Sequence, residues 1–219
     1  MSAAKTPRQT ATGSPTSAQA EGGPRLNTRG LARRELIVET ATNLFLERGY
    51  DAVSIDEIIR EVGGSKTNIY KMFGGKEGLF VAIFQGLGAE FVSPLRQLDL
   101  GDTPPAIALG ILGRTLMRQL TAPRHLAFQR MVLAASGRFP EILREWYIAG
   151  PRASRKVIAQ VLRDLPDPAR RALLFHDMIA TDAIIRGLMD NPPEWSEIEA
   201  RIDLAVRVTC EPPQQDGQS

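Results

Sequence analysis

The sequence predicts an all-α protein, a short N-terminal three-helix unit followed by a larger helical domain, on three observations. Apolar residues recur at three- and four-residue spacing through the long segments, which is the period of a helix face. No convincing run alternates with the period of two that a half-buried strand requires. Glycine and proline breakers cut the chain into pieces of helical length, among them Gly49, Gly63-Gly64, Gly74-Gly75, Gly101, Pro104-Pro105, Pro123, Pro140, Gly150-Pro151, Pro166, Pro168 and Pro192-Pro193.

Met1 to Asn27 is rich in Ser, Thr, Ala, Gly and Pro and nearly devoid of large apolar residues, so residues 1–27 are expected to be a disordered basic arm. From Arg29, the residues Leu36, Ile37, Thr40, Ala41, Leu44 and Phe45 form one helical stripe, which Gly49 ends. Ser54-Ile55-Asp56-Glu57 is a capping box, with Val53 and Ile58 spaced as its hydrophobic staple. That helix runs to about Val62. Gly63-Gly64 imposes a turn, Ser65 can cap a second short helix ending near Phe73, and two short helices across a glycine turn outline a helix-turn-helix.

Beyond Gly74-Gly75, a helix is expected from Lys76 to about Leu98. Five more follow, over Thr103 to Leu120, Pro123 to Ser136, Pro140 to about Leu165, Pro168 to Asp190 and Glu194 to Cys210, with proline tolerated in the first turn of several and Pro151 kinking the third. Residues 211–219 are polar and expected to be a disordered tail. The expected division is 28–76 for the helix-turn-helix domain and 77–210 for the larger helical domain.

With 219 residues, 43% of them hydrophobic and 24% charged, the chain can bury a sizeable core, and wholesale disorder is excluded. No run approaches the ~18 uninterrupted apolar residues of a membrane span, and Met1 to Ala20 lacks the apolar centre of a secretory signal. A cytoplasmic protein with no membrane partner is expected. The single Cys210 allows neither an internal disulfide nor a cysteine-based metal cage. Net charge is only +2, yet residues 103–171 are strongly basic and residues 172–219 strongly acidic, so the C-terminal half is electrically polarised.

On the helix from Lys66 to Phe73 the 3.6-residue period sets Lys66, Thr67, Tyr70 and Lys71 on one side and Ile69, Met72 and Phe73 on the other. Two cations, a hydroxyl and a phenol near a helix N-terminus suit phosphate oxygens and base edges in a major groove, with Asn68 on the border. Lys76 would add an ammonium beside a phosphate.

The run from Ser54 to Leu79, with Phe45 to Gly49-Tyr50 before it and Ile69-Tyr70, Phe73 and Lys76-Glu77 within it, resembles the DNA-binding domain of the TetR family. The resemblance implies that Ser65, Lys66, Thr67, Asn68, Tyr70, Lys71 and Lys76 serve the DNA-binding surface, Tyr70 and Lys76 largely through phosphates. Two positions depart from the family pattern: Gly64 replaces a branched apolar residue, and Ile59 replaces alanine. Asp56 would repel phosphate, and its expected role is to complement the dipole of its own helix.

Residues from Gly113 to Leu165, including Gly137-Arg138-Phe139-Pro140 and Trp146-Tyr147, look like the ligand-binding half of family members of the efflux-repressor type. This implies a small apolar or amphipathic inducer and dimerisation through the last two long helices. Met117, Phe128, Met131, Trp146, Phe175 and Met178 could line the pocket or fill the core. Ile184, Ile185 and Leu188 with Trp195, Ile198, Ile202 and Ala205 form the apolar stripes expected at a homodimer interface.

His125 and His176 read as structural histidines, too isolated for a metal site, and no cofactor is expected. Gly74-Gly75-Lys76-Glu77 has neither the spacing nor the Ser or Thr of a P-loop, and no nucleophile elbow occurs, so an enzyme is not expected. The expected function is a ligand-released repressor on a palindromic operator, with ligand altering the separation of two recognition helices through the helix starting at Lys76. The alternative is a helical module that sequesters a small molecule or protein without a transcriptional role.

Overall fold

The computed structural model describes residues 28–211. The expectations for residues 1–27 and for the tail beyond Glu211 lie outside the described residues. Ten α-helices succeed one another there: α1 (Thr28–Arg48), α2 (Ile55–Val62), α3 (Lys66–Phe73), α4 (Lys76–Arg96), α5 (Pro105–Leu120), α6 (Pro123–Ala135), α7 (Pro140–Tyr147), α8 (Ala153–Val161), α9 (Pro168–Leu188) and α10 (Trp195–Cys210). A π-helical turn over Ile148–Arg152 joins α7 to α8. No strand occurs among the described residues.

Each boundary has a local cause. Proline stands in the first turn of α5, α6, α7 and α9, where its missing N–H costs nothing. The single helix expected from Pro140 to Leu165 is instead two, because Pro151 cannot donate and the chain widens into the π turn around it. On α1 the buried stripe is Ile37, Ala41, Thr42, Leu44 and Phe45, whereas Leu36 is exposed. Thr42 enters the core because its hydroxyl donates to the Val38 carbonyl at 2.6 Å, one turn back.

Two apolar clusters hold the helices together. The first gathers Phe45, Val53, Ile58 and Ile69 of the N-terminal unit with Phe80, Phe84 and Phe91 of α4, Phe128 and Met131 of α6, Phe139 just before α7 and Ile142 within it. Phe45 and Phe80 meet edge-on at 5.6 Å between centroids, and full burial of each such ring stabilises by about 2–3 kcal/mol. The core is therefore continuous across the expected division at Lys76. The second cluster joins α5, α8, α9 and α10 through Leu109, Leu112, Leu116, Phe175, Ile179 and Ile202.

Helix α4 is long and apolar enough to cross a membrane by length and composition, although Gln85 and Glu90 interrupt its apolar run. Its apolar residues Leu79, Phe80, Ile83, Phe84, Leu87, Phe91, Val92 and Leu95 are buried against the rest of this chain. It is the shared spine of both ends of the molecule.

Candidate nucleic-acid interface and ligand cavity

The capping box forms as its sequence demands. The Glu57 amide donates to the Ser54 hydroxyl at 3.2 Å, and the Ser54 amide donates to the Glu57 carboxylate at 3.0 Å. Arg48, at the end of α1, closes on the same carboxylate at 2.8 Å. The Ser54 backbone hydrogen bond and then Arg48 pull the Glu57 carboxyl down to about 2. This start fixes where α2 points, and α2 fixes α3.

The turn between them is braced from α1. The Arg33 guanidinium donates to the carbonyls of Val62 and Gly63. Gly63 and Gly64 both hold positive φ, +75° and +94°, and a Cβ on Gly64 would stand 2.6 Å from Arg33 Nη2. Gly64, the departure from the family pattern, thus leaves room for a guanidinium where a branched side chain would stand. Sequence reading missed Arg33, whose helical spacing carries no sign of a partner 30 residues away.

Helix α3 buries Ile69 and half-buries Met72 and Phe73, while Lys66, Thr67, Asn68, Tyr70 and Lys71 face solvent, Tyr70 at 57% exposure. Ser65 stands extended at the N-cap, but its side chain caps nothing. Instead its carbonyl accepts from the Asn68 amide at 3.0 Å. Lys66 pairs with Asp56 at 2.9 Å, and this hydrogen bond raises the lysine pKa. Asp56 therefore pairs with the start of α3 besides standing in the first turn of α2.

Lys76 is placed differently from an outward clamp. Its ammonium lies over the Tyr50 ring, 4.2 Å from the centroid, half-buried, and burial lowers its pKa. Arg138, between α6 and α7, lies over the rings of Tyr50 and Phe139 at 5.3 and 5.2 Å and donates to Asp51 at 3.0 Å. Tyr50 and Phe139 meet edge-on at 5.3 Å. This joint fastens the α6–α7 turn of the larger domain to the end of α1 and the start of α4.

A cavity of about 270 Å³ lies among α4, α5, α6, the π turn, α8 and α9. Its apolar lining includes Phe91, Val92, Leu116, Leu120, Phe128, Trp146, Ala180 and Ile184, and its polar lining His125, Gln129, Ser154, Arg155, His176 and Asp177. Of the expected pocket residues, Phe128 and Trp146 line it. Met117 and Phe175 are fully buried in the second cluster, Met178 packs against that cluster, and Met131 lies in the first. The cavity takes their neighbours Leu116 and His176 instead, because consecutive helical residues point about 100° apart.

The two histidines that read as structural both line this space. His125 is 4% exposed; burial lowers its pKa to about 4, and the Gln129 amide nitrogen sits 2.9 Å from its Nε2. Arg155 donates to Asp177 at 2.6 Å and to the Tyr147 hydroxyl at 3.1 Å, while His176 Nδ1 lies 2.9 Å from the same Asp177 oxygen. Burial pushes the Asp177 carboxyl up, but hydrogen bonds from His176 and Arg155 outweigh it and hold it below the usual range. His125 Nδ1 and Arg155 Nε are buried without a hydrogen-bond partner. A larger groove of about 500 Å³, edged by Arg96, Asp102, Arg163 and Asp164, is a more open, more polar surface feature.

The expected dimer stripe needs correction. Ile198, Ile202 and Ala205 are buried inside this subunit, Ile202 at 0% exposure, because α10 packs them on α5 and α9. Ile184 turns to the cavity, Leu188 is half-buried, and Trp195 packs on the second cluster under the Arg118 guanidinium, 4.7 Å away. The exposed apolar residues of α9 and α10 are Leu173, Leu174, Ile185, Leu204 and Val208.

Comparison with known proteins agrees with this architecture. The family model for bacterial regulatory proteins of the tetR family matches residues 37–83, and that for the C-terminal domain of AefR-like transcriptional repressors matches residues 108–211. The HTH-type transcriptional regulator TcmR of Streptomyces glaucescens is 26% identical over 167 residues, 73% of this chain and 74% of that protein. The HTH-type transcriptional activator FasR of Mycolicibacterium smegmatis is 37% identical over 65 residues, 30% of each chain. Among solved structures, a TetR-family transcriptional regulator from Mesorhizobium loti superposes with a TM-score of 0.70 at 24% identity, covering 84% of this chain and 97% of that one. The flavonoid-responsive regulator FrrA superposes with a TM-score of 0.68 at 25% identity, covering 81% and 95%. With both halves matched and the helix-turn-helix formed, the chain belongs to the TetR family, as a DNA-binding transcriptional regulator rather than an enzyme.

Proposed function

We propose that the chain is a ligand-released repressor that binds a palindromic operator as a homodimer, with α3 in the major groove. The observation that carries this is the bare flank of α3, where Thr67, Asn68, Tyr70 and Lys71 reach solvent together above a buried Ile69. One eight-residue helix specifies few bases. Two copies on a two-fold axis, with half-sites about 34 Å or a multiple apart, supply the rest. Ser65 contributes through its backbone, Lys66 on release from Asp56, and Lys76 by holding the start of α4 near a phosphate. In domain terms, 28–76 binds DNA and 77–210 carries ligand and dimer contacts, in the cytoplasm where the operator lies.

The partner subunit covers the exposed apolar residues of α9 and α10, with Ile185, Leu204 and Val208 in the seam. The effector site is the 270 Å³ cavity, whose mostly apolar wall suits a small amphipathic molecule. The description of FrrA as flavonoid-responsive supports a ligand of this kind, and the AefR-like match supports repression. A filled cavity would shift α6 and the π turn, and the Arg138–Tyr50–Lys76 joint would pass the shift to the start of α4. Selection of DNA fragments by the purified protein, followed by gel shift and transcription assays, tests the reading. Recovery of one palindromic motif and repression from it are expected. Activation from that motif, as FasR's description would suggest, would reverse the sign, and no enriched motif would overturn the operator reading.

A further inference from the structure

Two residues that line the proposed effector cavity each keep one buried polar atom with nothing to bond to. His125 Nδ1 and Arg155 Nε both lack a partner, and both residues line the same space. Such orphans are costly in a folded protein, so two of them on residues of one cavity wall suit that wall to a ligand that would bond them. The chemistry of both atoms is the same. The Gln129 amide nitrogen faces His125 Nε2 at 2.9 Å and can only donate, so Nε2 accepts. Burial keeps the ring neutral, with its one proton then on Nδ1, and Nδ1 is a donor. Arg155 Nε is a donor by nature.

The charge is already settled. The Arg155 guanidinium is matched by Asp177 at 2.6 Å, which leaves the polar end without net charge to offer an anion. The size is bounded as well. An apolar cavity of about 150 Å³ holds one benzene, so about 270 Å³ admits roughly two rings. Phe91, Phe128 and Trp146 supply flat apolar walls for them.

We infer that the effector is an uncharged aromatic molecule of about two rings carrying oxygen acceptors, a ketone or similar carbonyl, that take the free N–H groups of His125 and Arg155. This rests on reading the cavity as the effector site. The test is isothermal titration of the full chain with 2-acetylnaphthalene, 2-isopropenylnaphthalene, which has the same shape without the oxygen, and 2-naphthoate. The ketone should bind about 10-fold or more tighter than the hydrocarbon, because only the ketone satisfies a buried donor. Naphthoate should bind more weakly than the ketone. His125→Phe, which keeps a ring against Phe91 and Phe128, should shrink the ketone preference, and the wild-type comparison stands if that variant fails to fold. Equal affinity for ketone and hydrocarbon overturns the acceptor assignment while leaving the effector site intact. Tighter binding of naphthoate overturns the uncharged class. Binding by none of the three overturns the effector-site reading and this inference with it.

Discussion

Gly64 and its neighbour Gly63 form a matched pair for testing how the recognition helix is aimed. Both hold positive φ, Gly63 with ψ at 178°, and for an alanine such a backbone, almost confined to glycine, costs about 1–3 kcal/mol. A Cβ on Gly63 meets nothing within 4 Å, so Gly63→Ala should cost only that. A Cβ on Gly64 would come within 2.6 Å of Arg33 Nη2. The guanidinium is the end of a flexible side chain and can swing away, but it then forfeits its hydrogen bonds to Val62 and Gly63, worth about 0.5–1.5 kcal/mol each. Gly64→Ala should therefore cost about 2–6 kcal/mol. At about 2–4 °C per kcal/mol for a chain of this size, the expected falls in Tm by calorimetry are ~2–12 °C for Gly63→Ala and ~4–24 °C for Gly64→Ala, the second exceeding the first by the two lost hydrogen bonds. In an Arg33→Ala background the gap between the two should close. Equal losses in the wild-type background, or a gap that survives without Arg33, would refute the bracing role.

We expect Lys71, exposed on the flank of α3, to pair with a backbone phosphate, so Lys71→Ala should weaken every DNA sequence alike and flatten the slope of log K against log salt by about 0.9, read from gel shifts at several salt concentrations; an unchanged slope would remove that contact. Leu204→Asp with Val208→Asp should give folded monomers by sedimentation, whereas Ile202→Asp should unfold the subunit, because its side chain is wholly buried. Glu57 has a folded pKa of about 2 against an ordinary 4.5, so its contribution to stability is complete above about pH 4.5 and is lost as pH falls through 2. The Tm advantage of wild type over Glu57→Gln should accordingly be constant above pH 4.5 and shrink toward pH 2, and an advantage that grows on acidification would contradict the capping geometry. Arg138→Ala should leave ligand affinity within about threefold while reducing the ligand's effect on DNA binding, measured by titrating both, since Arg138 touches the joint and does not line the cavity; a full ligand response would place the coupling elsewhere.

The amino-acid order alone determined the local elements. Ser54 with Glu57, the paired glycines and the first-turn prolines act within a few residues of themselves, so the start of α2, the turn into α3 and the N-termini of four later helices were legible before any coordinates. So was the outward flank of α3, since a period of 3.6 separates Lys71 from Ile69 wherever the helix sits. Tertiary structure decided everything that depends on which stripe meets which partner. Periodicity marked Ile198, Ile202 and Ala205 as a stripe, but only the approach of α5 turned it inward and left Leu204 and Val208 outside. The same holds for the cavity, where a rotation of one residue replaced Met117 and Phe175 by Leu116 and His176 and brought His125 into its wall. A sequence encodes the angle between neighbours on one helix, whereas the identity of a facing surface is a long-range property of the packed chain.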